Sequence, residues 1–150
     1  MTNRSLPTAL EVSQRSWACV QEHDKKGWLS LMADDVAIED PIGRAPTNPD
    51  GRGVRGIAAV EDFYDKFIAT KTLTIECLDT FLSSDPREVA HIMRLTGRYD
   101  TGVQRTSRGV FTYRVNDEGL LVALRGYWTM EGMVYTYPSE ESDEAESESR

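Results

Sequence analysis

Long apolar runs are missing from this 150-residue chain. No stretch approaches the length needed to cross a bilayer, and the opening MTNRSLPTALEVSQRS has no apolar core of the kind a secretory signal needs. Membrane insertion is therefore not expected, and a cytoplasmic location is. Cysteine is scarce: Cys19 and Cys77 stand alone, without metal-ligand or redox spacing, and read as small apolar residues in a reducing compartment. There is no internal repeat, no G-x-G-x-x-G, no P-loop and no H-E-x-x-H. Positive charge is in the minority, with 17 Lys and Arg against 25 Asp and Glu and a net charge of −8. That balance argues against a nucleic-acid or anionic-membrane partner.

The charge is unevenly placed. Residues 138–150, PSEESDEAESESR, hold six acids and one base, and no aromatic or branched aliphatic residue. Such a segment cannot bury enough surface to order itself. The expected organisation is one domain over residues 1–137, followed by an acidic disordered tail over 138–150.

Periodicity predicts a helix from Thr8 to about His23 and a short second helix over 24–33 around Trp28, Leu29, Leu31 and Met32. A strand follows over 36–40. Residues 41–55 contain three prolines and three glycines and read as a long loop. From Gly56 to about Thr70 the apolar residues Ile57, Val60, Phe63, Tyr64 and Phe67 recur at helical spacing. Strands are expected at 72–82, 88–99, 104–115 and 120–131, with the turns SSDPR, DTG and NDEG between them. In the second of these, His91, Met93, Leu95, Gly97 and Tyr99 share one face. One-sided burial of this kind suits a curved antiparallel sheet with helices on its concave side, an α+β domain.

One stretch does not fit a purely structural reading. ADDVAIEDPIG, residues 33–43, places four acids within seven residues of an alternating segment. Val36, Ile38 and Asp40 share a strand face, so a carboxylate points the way two core residues point. Pro41 then stops the strand. Read alone, Asp40 is either a turn-capping aspartate or a carboxylate aimed into the interior. Asp34 and Asp35 read as cap and turn residues at the helix-to-strand junction.

The element order, together with HDKKGWLSLMADDVAIEDPIG, AAVEDFYDKF and YRVNDEGLLVALRGYW, resembles the ketosteroid isomerase family, within the superfamily that also holds nuclear transport factors and polyketide cyclases. The resemblance runs from about Gln14 to Trp128. It implies a cone-shaped curved sheet wrapped around three helices and enclosing an apolar pocket. It also implies that Asp40, the aspartate before the proline, is a catalytic base. That chemistry moves a carbon–carbon double bond by proton transfer next to a carbonyl and needs neither metal nor cofactor. The implied pocket wall comprises Ser16, Trp17, Val20, Met32, Phe63, Tyr64, Phe111, Leu124, Gly126 and Trp128.

The sequence departs from the family at the groups that stabilise the developing oxyanion. Ser16 stands where the family has a tyrosine, and Phe111 where it has a protonated aspartic acid. Losing one such donor costs roughly two to three orders of magnitude in rate. Trp17 or Tyr64 is the candidate replacement. The expected function is a steroid Δ-isomerase or a weak relative. The alternatives are a non-catalytic binder of steroid-like molecules and a cyclase or epoxide-opening enzyme on the same fold. His91 reads as a core histidine. Arg94, Arg98, Arg105 and Arg108 read together as a solvated sheet face or the rim of a homodimer, with an anion site as the further alternative.

Overall fold

The computed structural model describes residues 6–138. The acidic segment over 139–150 lies outside the described residues. The first helix, α1, is Ala9–Glu22. Thr8 and Glu11 close a reciprocal capping box at its start: the Glu11 N–H donates to Thr8 Oγ1 at 3.2 Å and the Thr8 N–H to Glu11 Oε1 at 3.3 Å. His23 ends it in the left-handed conformation, φ 56°. A short α2, Lys25–Ser30, follows, capped by Asp24.

The first strand, β1, is Met32–Glu39 and begins earlier than the sequence suggests. Asp34 and Asp35 lie inside it, exposed, where its pairing with the neighbouring strand slips between Met32 and Ala37. They sit on an irregular stretch of strand rather than in a turn. The loop that follows contains a two-residue strand, β2, Val54–Arg55. Helix α3, Ile57–Phe63, gives way to a π-helical turn over Tyr64–Ile68, in which the Ala69 N–H reaches back five residues to the Tyr64 carbonyl at 2.9 Å.

Four strands then build most of the sheet: β3 (Thr72–Leu82), β4 (Glu88–Arg98), β5 (Gln104–Val115) and β6 (Leu121–Tyr127). The last is shorter than expected, because Trp128 leaves the ladder. A three-residue β7, Val134–Thr136, pairs with the start of β5. The path through the sheet runs β2–β1–β6–β5–β4–β3. Every pair is antiparallel except β1 with β6. Irregularities in β1, β3 and β5 bend the sheet, and α1 packs against β3, β4 and β5. The core between them includes Val12, Trp28, Val36, Ile38, Val60, Met93, Phe111 and Leu121. None of the described helices is long and apolar enough to cross a membrane.

Candidate active site

Alternation along β1 decides where Asp40 goes. Val36 and Ile38 are fully buried, and Asp40, two residues on, follows them inward at the strand's end. Three contacts fix the chain just beyond it. Thr47 Oγ1 donates to the Asp40 carbonyl, Asn48 Nδ2 donates to the Pro41 carbonyl at 3.0 Å, and the Ile42 N–H donates to the Gly126 carbonyl of β6 at 2.9 Å. Asn48, 1% exposed, also accepts from the Gly53 N–H at 2.9 Å, so one buried side chain ties both ends of the loop.

The helices and the concave sheet face enclose a cavity of about 840 Å³ of empty space, its open mouth included. Asp40 is part of its wall, together with Ser16, Trp17, Val20, Trp28, Phe63, Phe67, Met93, Phe111, Tyr113, Leu124 and Trp128. Some of Asp40 still meets accessible surface, while its carboxyl is surrounded by protein. Trp128 Nε1–H donates to Asp40 Oδ1 at 2.6 Å. Burial raises the Asp40 pKa, opposed in part by that hydrogen bond and by the charges of Lys71 and Arg105. It is the one acidic side chain in the cavity wall among the described residues.

Two wall hydroxyls, Ser16 and Tyr113, each accept from an indole N–H and keep their own proton to give. Ser16 Oγ accepts from Trp28 Nε1 at 3.0 Å. Trp17 turns its indole N–H onto Tyr113 Oη at 2.9 Å, not into the cavity. Tyr113 thereby accepts one hydrogen bond and keeps its own O–H proton available. Burial pushes its phenol well above the ordinary value, so it remains protonated. His91 braces this pair from behind, with its ring 4.6 Å from Trp17 and 5.8 Å from Tyr113. Its Nε2 lies 3.0 Å from Ser13 Oγ and its Nδ1 2.9 Å from Thr80 Oγ1. Burial lowers its pKa to about 4, so it is a neutral, satisfied core residue.

Three expected wall residues lie elsewhere. Met32 is buried core outside the cavity wall. Tyr64 packs on Trp28, with ring centres 5.5 Å apart, because its helix directs Phe63 and Phe67 to the cavity instead. Gly126 contributes emptiness: a Cβ there would lie 2.9 Å from Phe111 Cε1 and 3.1 Å from Asp40 Oδ1.

Two functional candidates, Tyr113 and Lys71, escape the sequence reading, and a third, Arg105, is grouped there with three outward-facing arginines. Tyr113 shares the inward phase of Phe111 along β5, a signal present but outweighed by the run's many aromatic and branched residues. Arg105 has that same phase and lines the cavity, whereas Arg94, Arg98 and Arg108 face outward. Grouping the four arginines is therefore incorrect. Lys71, just before β3, carries no periodic signal at all. It is 9% exposed, and burial and Arg105 lower its pKa to about 8 against the opposing pull of Asp40.

A family model described as a SnoaL-like domain matches residues 13–124. Among solved structures, a Δ5-3-ketosteroid isomerase from Mycobacterium sp. is 54% identical, over 85% of this chain and 98% of that one, with a TM-score of 0.84. A Mycobacterium tuberculosis protein in complex with estradiol-17β-hemisuccinate is 56% identical, over 84% and 97%, with a TM-score of 0.82. A computationally designed 17-OHP binder is 52% identical, over 85% and 98%, with a TM-score of 0.84. The chain, with this cone of sheet and its inward aspartate, belongs to the SnoaL-like domain family and is similar within it to ketosteroid isomerase.

Proposed function

We propose that the protein isomerises a β,γ-unsaturated ketosteroid, or a related polycyclic ketone, with Asp40 as the base. The observation that carries this is a single buried carboxylate in an apolar cavity, oriented by Trp128. The Asp40 carboxylate takes the proton from the carbon between the ketone and the double bond. The electron pair of that C–H bond forms a new C=C bond to the carbonyl carbon and the carbonyl π pair moves onto the oxygen, giving a dienolate. Tyr113 O–H donates to the oxygen as its charge develops, in place of the tyrosine and aspartic acid for which Ser16 and Phe111 stand. Asp40, now a carboxylic acid, returns the proton to the far carbon of the dienolate, and the double bond ends in conjugation with the ketone. Electrons and protons balance without a cofactor.

A second reading is favoured by the donor set. With phenylalanine at 111 and only the short serine at 16, the cavity also suits a non-catalytic binder of steroids. The similar isomerase and the similar steroid-binding proteins support both readings. Cyclisation or epoxide opening has less support, because those reactions call for cooperating carboxylates and the described wall has one.

Isomerisation followed by the absorbance of the conjugated ketone separates the readings. Wild type should turn over. Asp40→Asn should fall to solvent background while still binding a phenolic steroid, and Tyr113→Phe should lose about 10²- to 10³-fold in kcat. Equal turnover by wild type and Asp40→Asn removes Asp40 as the base. Binding without any turnover leaves the binder. We also take the protein to act in the cytoplasm as a homodimer formed through the outer sheet face.

A further inference from the structure

Lys71 and Arg105 touch no reacting atom in the proton transfer, though their charges act on Asp40, and both line the cavity. Leu73, Gly97 and Arg105 are in register across β3, β4 and β5, side by side on the inward face. A Cβ on Gly97 would lie 3.1 Å from Lys71 Cδ. The absent side chain is what lets the lysine stem lie across the sheet. Tyr99 sits beside both cations, with its ring centre 5.6 Å from Lys71 Nζ and 5.7 Å from Arg105 Cζ. Neither cation has an acidic partner among the ion pairs of the described residues. Two cations side by side repel, and a lysine this buried is normally paired.

We propose that this end of the cavity holds an anionic group, a carboxylate or a sulfate, carried on the far end of the apolar ligand. The proposal rests on the steroid reading of the same cavity and names the ligand more closely: a polycyclic body with a ketone or phenol at one end and an anion at the other. The spacing suits it. Arg105 lies six residues before Phe111 on β5, about 20 Å of strand. Part of that length is taken up by the side chains and the sheet's curvature. Arg105 offers a planar fork for two oxygens and Lys71 a single movable donor. Leu73, Leu95, Phe67 and Met133 line the apolar passage beside them.

The test compares ligands that share one body. Estradiol, estradiol 17-sulfate, estradiol 17-hemisuccinate and estradiol 3-sulfate are titrated calorimetrically into the full chain. Either 17-anion should bind at least about tenfold more tightly than estradiol, and the sulfate and hemisuccinate arms show which anion fits better. The 3-sulfate, whose charge sits at the wrong end, should show no gain. In Lys71→Met and in Arg105→Met the anion-to-neutral ratio should fall towards one, and Lys71→Arg should retain it. Thermal melts establish that each variant is folded. A wild-type ratio near one, or a ratio that survives both methionine variants, overturns the proposal while leaving the steroid reading intact. If estradiol itself does not bind, the steroid reading fails and this proposal falls with it.

Discussion

Trp128 Nε1 lies 2.6 Å from Asp40 Oδ1 and donates its proton to the only acid of the described cavity wall. The indole opposes the burial that raises the carboxyl pKa. It also leaves Oδ2 as the oxygen without a recorded donor, the natural one to take a substrate proton.

Replacing Trp128 with phenylalanine keeps an aromatic wall and deletes the donor. The ionised form of Asp40 then loses support, so its pKa rises further. The acid limb of the kcat/KM profile should move to higher pH than in wild type, while activity on the alkaline plateau falls less than at neutral pH. A limb that stays in place would show that the indole does not set the ionisation of Asp40.

The same burial makes Asp40 a pH-dependent burden on the fold. Its folded pKa lies above its ordinary value of 3.8, so the native state holds this proton more tightly than the unfolded chain. Its contribution to stability is complete below the unfolded pKa and is lost as pH rises through the folded one. Asp40→Asn has no charge to bury and can still accept from Trp128. Denaturant titration should find this variant more stable than wild type near neutral pH, with the gap narrowing towards pH 3. A gap independent of pH would contradict an unfavourable buried charge.

Gly126 looks like an ordinary strand glycine in the sequence, and the structure gives it a positional reason. Its missing side chain leaves the space occupied by Asp40 Oδ1 and the edge of Phe111. Gly126→Ala should cost about 1–3 kcal/mol by overpacking. It should also lower kcat more than it raises KM, because the displaced group is the base rather than the far end of the cavity. Wild-type kinetics in a stably folded Gly126→Ala variant would show that the contact relaxes harmlessly.

The parts legible in the sequence are those a strong period writes down. α1 and the three long strands β3, β4 and β5 fall within a residue of their expected bounds, because each buries one regular face. Asp40 was legible because the alternation of β1 and Pro41 fix both its face and its position. What resisted reading depends on packing at a distance. Trp17 lines the cavity, yet its hydrogen bond spans 96 positions to Tyr113. Tyr64 lost its expected place to helix phase. β7 is too short to carry a pattern, and its pairing with β5 appears only once the sheet has formed. Arg105 differed from its companions by strand parity alone.

Deleting residues 139–150 tests the single-domain organisation. The segment contains only Ser, Glu, Asp, Ala and one Arg, with nothing apolar larger than alanine. The melting temperature should stay within about two degrees of the full chain, as expected where no packed surface is removed. A larger drop, or weaker steroid binding, would mean that the acidic segment docks on the domain.

The outer face of the sheet carries the last prediction. Ile92, Val110 and Tyr127 are in direct register across β4, β5 and β6; on β3 this row ends at Asp79, and Phe81 lies in the next outward row, opposite Ala90. Phe81 is 56% exposed and Tyr127 53%. Beside this row, Arg94 faces Arg108 across the ladder and pairs with Glu76 at 3.3 Å, which supplies a charged rim. An apolar stripe with a charged border on a sheet face is the usual anatomy of a contact between copies. Sedimentation at micromolar concentration should therefore give a species of twice the 16.9 kDa chain mass. Val110→Arg puts a charge into the apolar row, next to the Arg94–Arg108 pair, and its two-fold mate would face it across the interface. That variant should sediment as a monomer with an unchanged circular dichroism spectrum. A wild-type monomer at these concentrations would overturn the assignment, as would a dimer insensitive to Val110→Arg.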